Sequence, residues 1–265
     1  MPAASPNVSP RAPWRDILDV HLHQTPGYEF TIATVGRNEK GQAVPRVRVC
    51  GFRGFFPDLD LHPSGKADLD EQVANGSNLP SVESDMFTFT TDSRMEKLKE
   101  LQSSNQEIEA LFWLKEASSQ WGIQGKAWVL GNPCGEMDAA EKESRSAIEK
   151  QLQPTDHQGV GDTPFDWDYA VTKYFANHSP LMRGSFRSRS PGKPKHSLPD
   201  DCPGAKGHLV TDLYDPEARE NFRVVAIIPE IVELLDLSDS RKLQRWKWTK
   251  DHSPHSQWIQ TELWP

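Results

Sequence analysis

A chain of 265 residues with a formal net charge of −8 and a mean hydropathy of −0.67 has little general affinity for nucleic acid or anionic membrane surfaces. No apolar run is long enough to span a bilayer. Nine tryptophans and eleven phenylalanines provide core material for one large domain or two small ones, while 21 prolines imply that much of the length is loop.

The stretch Met1 to Pro13 is rich in Pro, Ser and Ala and has no apolar signal-peptide core. Cys50, Cys134 and Cys202 are odd in number and far apart, which argues against a disulfide framework or a structural zinc site. A soluble, cytoplasmic protein is expected. Pro13-Trp14 opens a helix through Ile17, Leu18 and Leu22, since proline suits a first turn. Tyr28 to Val35, a turn over Gly36 to Gly41, and Val44 to Phe56 form a hairpin pattern. Asp58 to Asp85 is acidic and rich in Gly, Ser and Asn, and is expected to be a surface insertion. Met86 to Thr90 reads as a strand and Ser93 to Leu101 as a helix. Ile108 to Leu114 and Ile123 to Leu130 read as strands joined by a turn holding Gln120, Trp121 and Gly122. Glu136 to Leu152 and Phe165 to Asn177 are helix-prone, with a loop over Gln153 to Thr163, and Arg187 to Gly207 is expected to be a mobile loop. Phe222 to Ile228, Leu243 to Trp248 and Gln257 to Leu263 complete the strands. Strands in hairpin order with helices around them predict a mainly β, antiparallel barrel with peripheral helices (α+β).

Two stretches carry chemistry. Pro45-Arg46-Val47-Arg48-Val49-Cys50-Gly51-Phe52-Arg53-Gly54-Phe55 places arginines in an apolar strand, where unpaired cations are costly to bury. Arg46 and Arg48 share a face. Arg53 falls on the other face unless a bulge at Gly51 re-aims it. Thr90-Thr91-Asp92-Ser93-Arg94-Met95-Glu96-Lys97 is a hydroxyl-rich turn into a helix, with two further cations. Arginines, hydroxyls and free backbone N–H groups together suit a phosphate group. The alternatives are solvated arginines on an exposed sheet face and a plain capping box over Ser93-Arg94-Met95-Glu96. The pairs His21/His23 and His252/His255 lack a carboxylate or cysteine at ligand spacing, so no metal site is expected. Arg187-Ser188-Arg189-Ser190 reads as a solvated loop or a flap over a ligand.

The pattern P-R-V-R-x-C-x-F-R-G-F followed by T-D-S-R-x-x-K resembles the pyridoxamine 5'-phosphate oxidase-like family of FMN-binding split-barrel proteins, nearest the branch known only as FMN-binding-domain proteins. Further resemblances follow in order. They are Ala12-Pro13-Trp14-Arg15, Glu109 through Gln120-Trp121-Gly122-Ile123, Ser179 through Arg183-Gly184-Ser185-Phe186, and Asn221-Phe222-Arg223 through Leu235-Asp236-Leu237. The resemblance implies a single split-barrel domain over residues 1–265, with surface insertions near 57–85 and 135–163. It also implies FMN as cofactor and a homodimer. Carried over residue by residue, it assigns cofactor contacts to Arg48, Arg53, Thr90, Thr91, Arg94, Lys97, Gln120, Ser179 and Arg245, and a substrate contact to Arg241. The implied chemistry is hydride transfer at the flavin, on a small substrate that the sequence does not identify. The alternatives are a non-catalytic flavin-binding module and a barrel that has lost its flavin and acts through protein contacts.

The chain departs from the family pattern at several positions. Met95 replaces a serine of the T-D-x-R-S-x-K pattern, and Trp121 and Gly122 replace the Phe and Arg of Q-F-R-I. Around Arg241-Lys242-Leu243-Gln244-Arg245 the R-x-H-x-R signature lacks its histidine, which speaks against turnover of pyridoxamine 5'-phosphate.

Overall fold

The computed structural model describes residues 11–27, 29–73, 81–131, 137–155, 164–194, 209–251 and 257–265. Tyr28, Cys134, Cys202, His252, His255, the loop beyond residue 194 and part of the loop after Gln153 lie outside the described residues. In chain order the elements are α1 (Arg15–Gln24), β1 (Glu29–Arg37), β2 (Ala43–Phe55), α2 (Pro63–Gln72), β3 (Val82–Glu83), β4 (Phe87–Asp92), α3 (Glu96–Ser103), β5 (Glu107–Leu114) and β6 (Ser119–Leu130). They continue with α4 (Ala139–Glu149), β7 (Gln153–Pro154), α5 (Trp167–Ala176), α6 (Pro180–Ser185), α7 (Pro216–Asn221), β8 (Phe222–Asp236), β9 (Gln244–Lys250) and β10 (Trp258–Leu263).

Eight strands form one antiparallel sheet in the order β10-β9-β8-β4-β2-β1-β5-β6, and β6 pairs again with β8. That last pairing closes the sheet into a ring, with β9 and β10 as an extension. The expectation of a mainly antiparallel sheet with peripheral helices is met. Alternation supplies the reason: Phe30, Ile32, Cys50, Phe52, Phe87, Phe89, Ile108, Ala110, Phe112, Trp121 and Ile123 all point into the ring and are buried. Helix α1 joins this core through Trp14 and Leu18. A second core lies outside the ring, where Thr88, Val224 and Ala226 back onto a layer that includes Ala170, Val171, Tyr174 and Phe175 of α5.

Several local expectations are corrected. The acidic segment is no plain surface excursion. It carries α2, whose Leu69 is buried and whose Gly65 lies against the Ala176 carbonyl, so closely that an added Cβ would stand 2.6 Å from it. Ser93 does not cap α3. The helix starts three residues later behind Met95, and the Ser93 hydroxyl donates to Asn221 Oδ1 at 3.2 Å. Gln120, Trp121 and Gly122 belong to β6 rather than to a turn, because Ser118 at φ 47° closes the hairpin before them.

Candidate functional site

The cations of β2 divide between two faces. Arg48 points the same way as Cys50 and Phe52, toward α3. Its guanidinium donates to Glu100 Oε2 at 2.7 Å and to Thr34 Oγ1 at 3.0 Å, and Arg46 Nε lies 3.7 Å from Glu100 Oε1. Burial pulls the Glu100 carboxyl up, but hydrogen bonds from Thr34 and Arg48 outweigh it and hold the group below its ordinary range. Thr91 and Lys97 lie on this same inner side. Lys97 is buried, donates to Thr91 Oγ1 at 3.2 Å and approaches Cys50 Sγ at 3.9 Å. Burial pushes the Cys50 thiol up against the pull of Lys97.

Arg53 lies on the opposite face. A bulge does exist, but between Phe52 and Phe55 with Gly54 at φ 87°, past the point where it would bring Arg53 round to Arg48. Arg53 instead meets His178, which the chain delivers two residues beyond the end of α5. Arg53 Nη2 stands 3.3 Å from His178 Nε2, and the Thr90 hydroxyl stands 2.9 Å from the same nitrogen. His178 Nδ1 lies 2.9 Å from the Tyr174 carbonyl, which can only accept. The ring is therefore the Nδ1–H tautomer, and Nε2 accepts from both Thr90 and Arg53. Burial, reinforced by Arg53, pushes His178 down to about 4, so it is neutral near pH 7. Among the described residues Arg53 forms no ion pair. Its Nε is buried without a hydrogen-bond partner, and burial pulls the guanidinium below its ordinary range.

Thr90 and Thr91, adjacent on β4, thus serve different faces, as the period of a strand demands. Arg94 is committed to Asp92, at 2.6 and 2.9 Å, and to the carbonyls of Ser188 and Phe186. Ser179 is the N-cap of α6 and accepts from the Met182 N–H at 3.3 Å.

A third location is a groove of about 230 Å³ on the outer face of the ring. Gln120, Gly122 and Gln124 of β6 form its floor, flanked by Glu109 of β5 and by Glu233 of β8 and Arg245 of β9. Nothing lies within 4 Å of where a Gly122 Cβ would stand, so the floor is open there. Arg245 donates to Glu233 Oε2 at 2.8 Å, and Lys247 lies 3.5 Å from the other oxygen. Arg241 is exposed in the β8–β9 turn and does not line the groove. Gln120 and Arg245 therefore come together, while Arg241 stands apart from them.

The groove and the Arg53 cluster lie toward opposite ends of β8, since Thr90 pairs with Val224 and Gln120 with Leu235. At about 3.3 Å per residue roughly 36 Å of strand lies between them, farther than one mononucleotide reaches. His178 escaped the sequence reading because its partners are distant in the chain. The only local sign was its place beside Ser179. Among the described residues no group of His, Cys, Asp or Glu is arranged to hold a metal ion.

A mainly antiparallel sheet closed into a ring, with peripheral helices, is the class of fold that the motifs anticipated. Residues 11–131 match the family model of the pyridoxamine 5'-phosphate oxidase FMN-binding domain, so the resemblance read from the motifs holds over α1 to β6. The solved structure of a pyridoxamine 5'-phosphate oxidase-related, FMN binding protein from Nostoc punctiforme PCC 73102 is similar, with a TM-score of 0.62 and 18% identity over 97% of this chain and 100% of that one. PhzG from Burkholderia lata 383, solved in complex with tetrahydrophenazine-1-carboxylic acid, gives 0.51 and 15% over 99% and 100%. At these identities both likenesses concern the fold. A comparison with curated proteins gives no match. No helix of the described residues is long and apolar enough to cross a membrane.

Proposed function

We propose that this chain is an FMN-binding flavoprotein that acts on a small substrate as a homodimer. The observation that carries the reading is Arg53: a cation without a carboxylate partner among the described residues, with an unsatisfied buried Nε, beside the Thr90 hydroxyl. A buried donor left unpaired costs roughly 1–3 kcal/mol, and a phosphate group is the kind of acceptor that would relieve it. These residues therefore fit the phosphate end of FMN. Lys97, bonded to Thr91 on the inner face, adds positive charge from the other side of β4. Arg48 is held by Glu100 and contributes mainly to the fold. Bound FMN would supply two-electron redox chemistry, with the protein providing position and electrostatics.

The roughly 36 Å of strand between the levels of Thr90 and Gln120 supports a composite site, in which the groove of one protomer faces the phosphate cluster of its partner. The outer face offers a surface for that pairing: Val47 and Val49 are 66% and 67% exposed, and Trp113 on β5 is 55% exposed. Residue roles, dimer and redox activity are parts of this reading. Its first test is the absorbance spectrum of purified protein, with mass identification of the released chromophore. FMN is the expected result; protein that remains colourless after incubation with FMN would contradict the reading.

A further inference from the structure

We infer that His178 is a proton-linked positioning residue for the phosphate site, so that binding a phosphate dianion draws a proton onto its Nε2. The inference rests on the proposed phosphate end at Arg53 and Thr90, and adds a residue that the family motifs did not supply.

The argument is one of donors. In the structure, one Arg53 N–H and the Thr90 O–H both point at His178 Nε2. A phosphate that takes the free Arg53 Nε–H bidentately also takes Nη2 on the same guanidinium edge, and with it the Thr90 hydroxyl, so it competes with His178 for both donors. Once they turn to the ligand, Nε2 is left as a buried acceptor with nothing to accept from. The ring cannot answer by changing tautomer, because the Nδ1 proton is held on the Tyr174 carbonyl at 2.9 Å. It can answer by taking a proton from solvent at Nε2. The imidazolium N–H then donates to Thr90 Oγ, whose own proton is free to reach the phosphate, since a hydroxyl both donates and accepts.

The surroundings explain why the proton waits for the ligand. The charged groups acting on His178 are Arg53 from β2 and Arg183 from α6, both cations, while Phe186 and Phe222 cover its ring and its own helix offers only carbonyls. Without an anion, this setting keeps the imidazole neutral, in line with its low pKa of about 4. A dianion beside Arg53 reverses the local field and raises that pKa. The contribution of this proton to FMN affinity is complete below the free-protein pKa of about 4 and is lost as pH rises to the raised pKa of the complex.

The test is calorimetric titration of the full chain with FMN and with riboflavin at about pH 7.5, where a phosphate monoester with second pKa near 6 is already a dianion. Running it in two buffers of different ionisation enthalpy counts protons. The wild type should take up protons with FMN and none with riboflavin. His178→Gln should abolish the uptake and weaken FMN about tenfold, leaving riboflavin unchanged. Histidine ¹⁵N spectra of the wild type, which need no variant, should show one imidazolium appear on adding FMN. FMN preference without uptake or imidazolium in the wild type would overturn the inference and leave the proposed function standing. Equal affinity for FMN and riboflavin would overturn both.

Discussion

Glu100 is nearly buried and accepts from Thr34 and from an Arg48 whose side chain is 24% exposed. Removing one partner of a fully buried pair costs about 3–5 kcal/mol; with Arg48 still partly in water, Arg48→Met should cost about 2 kcal/mol, read from urea unfolding at pH 7. The depressed carboxyl sets the sign with pH. Its contribution is complete above the unfolded value of about 4.3 and is lost as pH falls through the lower folded value. The gap between variant and wild type should therefore narrow in acid, and a gap constant from pH 7 to pH 3 would contradict this. The arginine residues were legible as candidates because cations in an apolar strand are unusual. Their division was less legible: it depends on Gly54 rather than Gly51 forming the bulge, and on which side α3 and α5 pack. His178 was not legible, since tertiary packing alone brings it to Thr90 and Arg53.

On β6 two glycines three residues apart play different parts. A Cβ on Gly125 would stand 2.1 Å from the Ile228 carbonyl oxygen, at the register shift where β6 closes the ring on β8. The obstacle is backbone, so Gly125→Ala should cost at least about 3 kcal/mol, the upper end of overpacking effects. Gly122→Ala meets open space and should stay within about 0.5 kcal/mol of wild type. Denaturation midpoints of the two variants check the pair, and similar losses in both would show that the seam is not what Gly125 protects. Regular elements were readable where alternation was strong, as in β1 and β2. The start of β6 was misread because Gly122 looks like a turn residue, although it lies in a regular strand pair. Helix α2 was hidden because its inner side offers little more than Leu69 and Gly65 among charged residues.

For the whole molecule, the account requires a second copy to complete the site. Replacing Val47 and Val49 with Asp should give a monomer by light scattering and weaken FMN binding, while the ring remains folded; a dimer that persists with wild-type FMN affinity would place the interface elsewhere. On the proposed reading the groove also limits which substrates the dimer takes. Arg245 is neutralised by Glu233, Glu109 adds another carboxylate, and Leu243 and Gln244 occupy the R-x-H-x-R region without its histidine. A site short of matched polar partners discriminates strongly against a phosphorylated substrate. Hydrogen peroxide release from FMN-loaded protein given pyridoxamine 5'-phosphate should be absent or very slow beside a bona fide oxidase, and comparable turnover would refute this.

The most direct measurement of the central claim is a titration of FMN and riboflavin into wild type and Arg53→Gln. A charge-assisted contact to phosphate is worth roughly 1.5–3 kcal/mol. The wild type should therefore prefer FMN, and the variant should lose FMN affinity by about tenfold or more while binding riboflavin as before. Equal loss for both ligands, or no preference in the wild type, would contradict the assignment of Arg53 to a phosphate site.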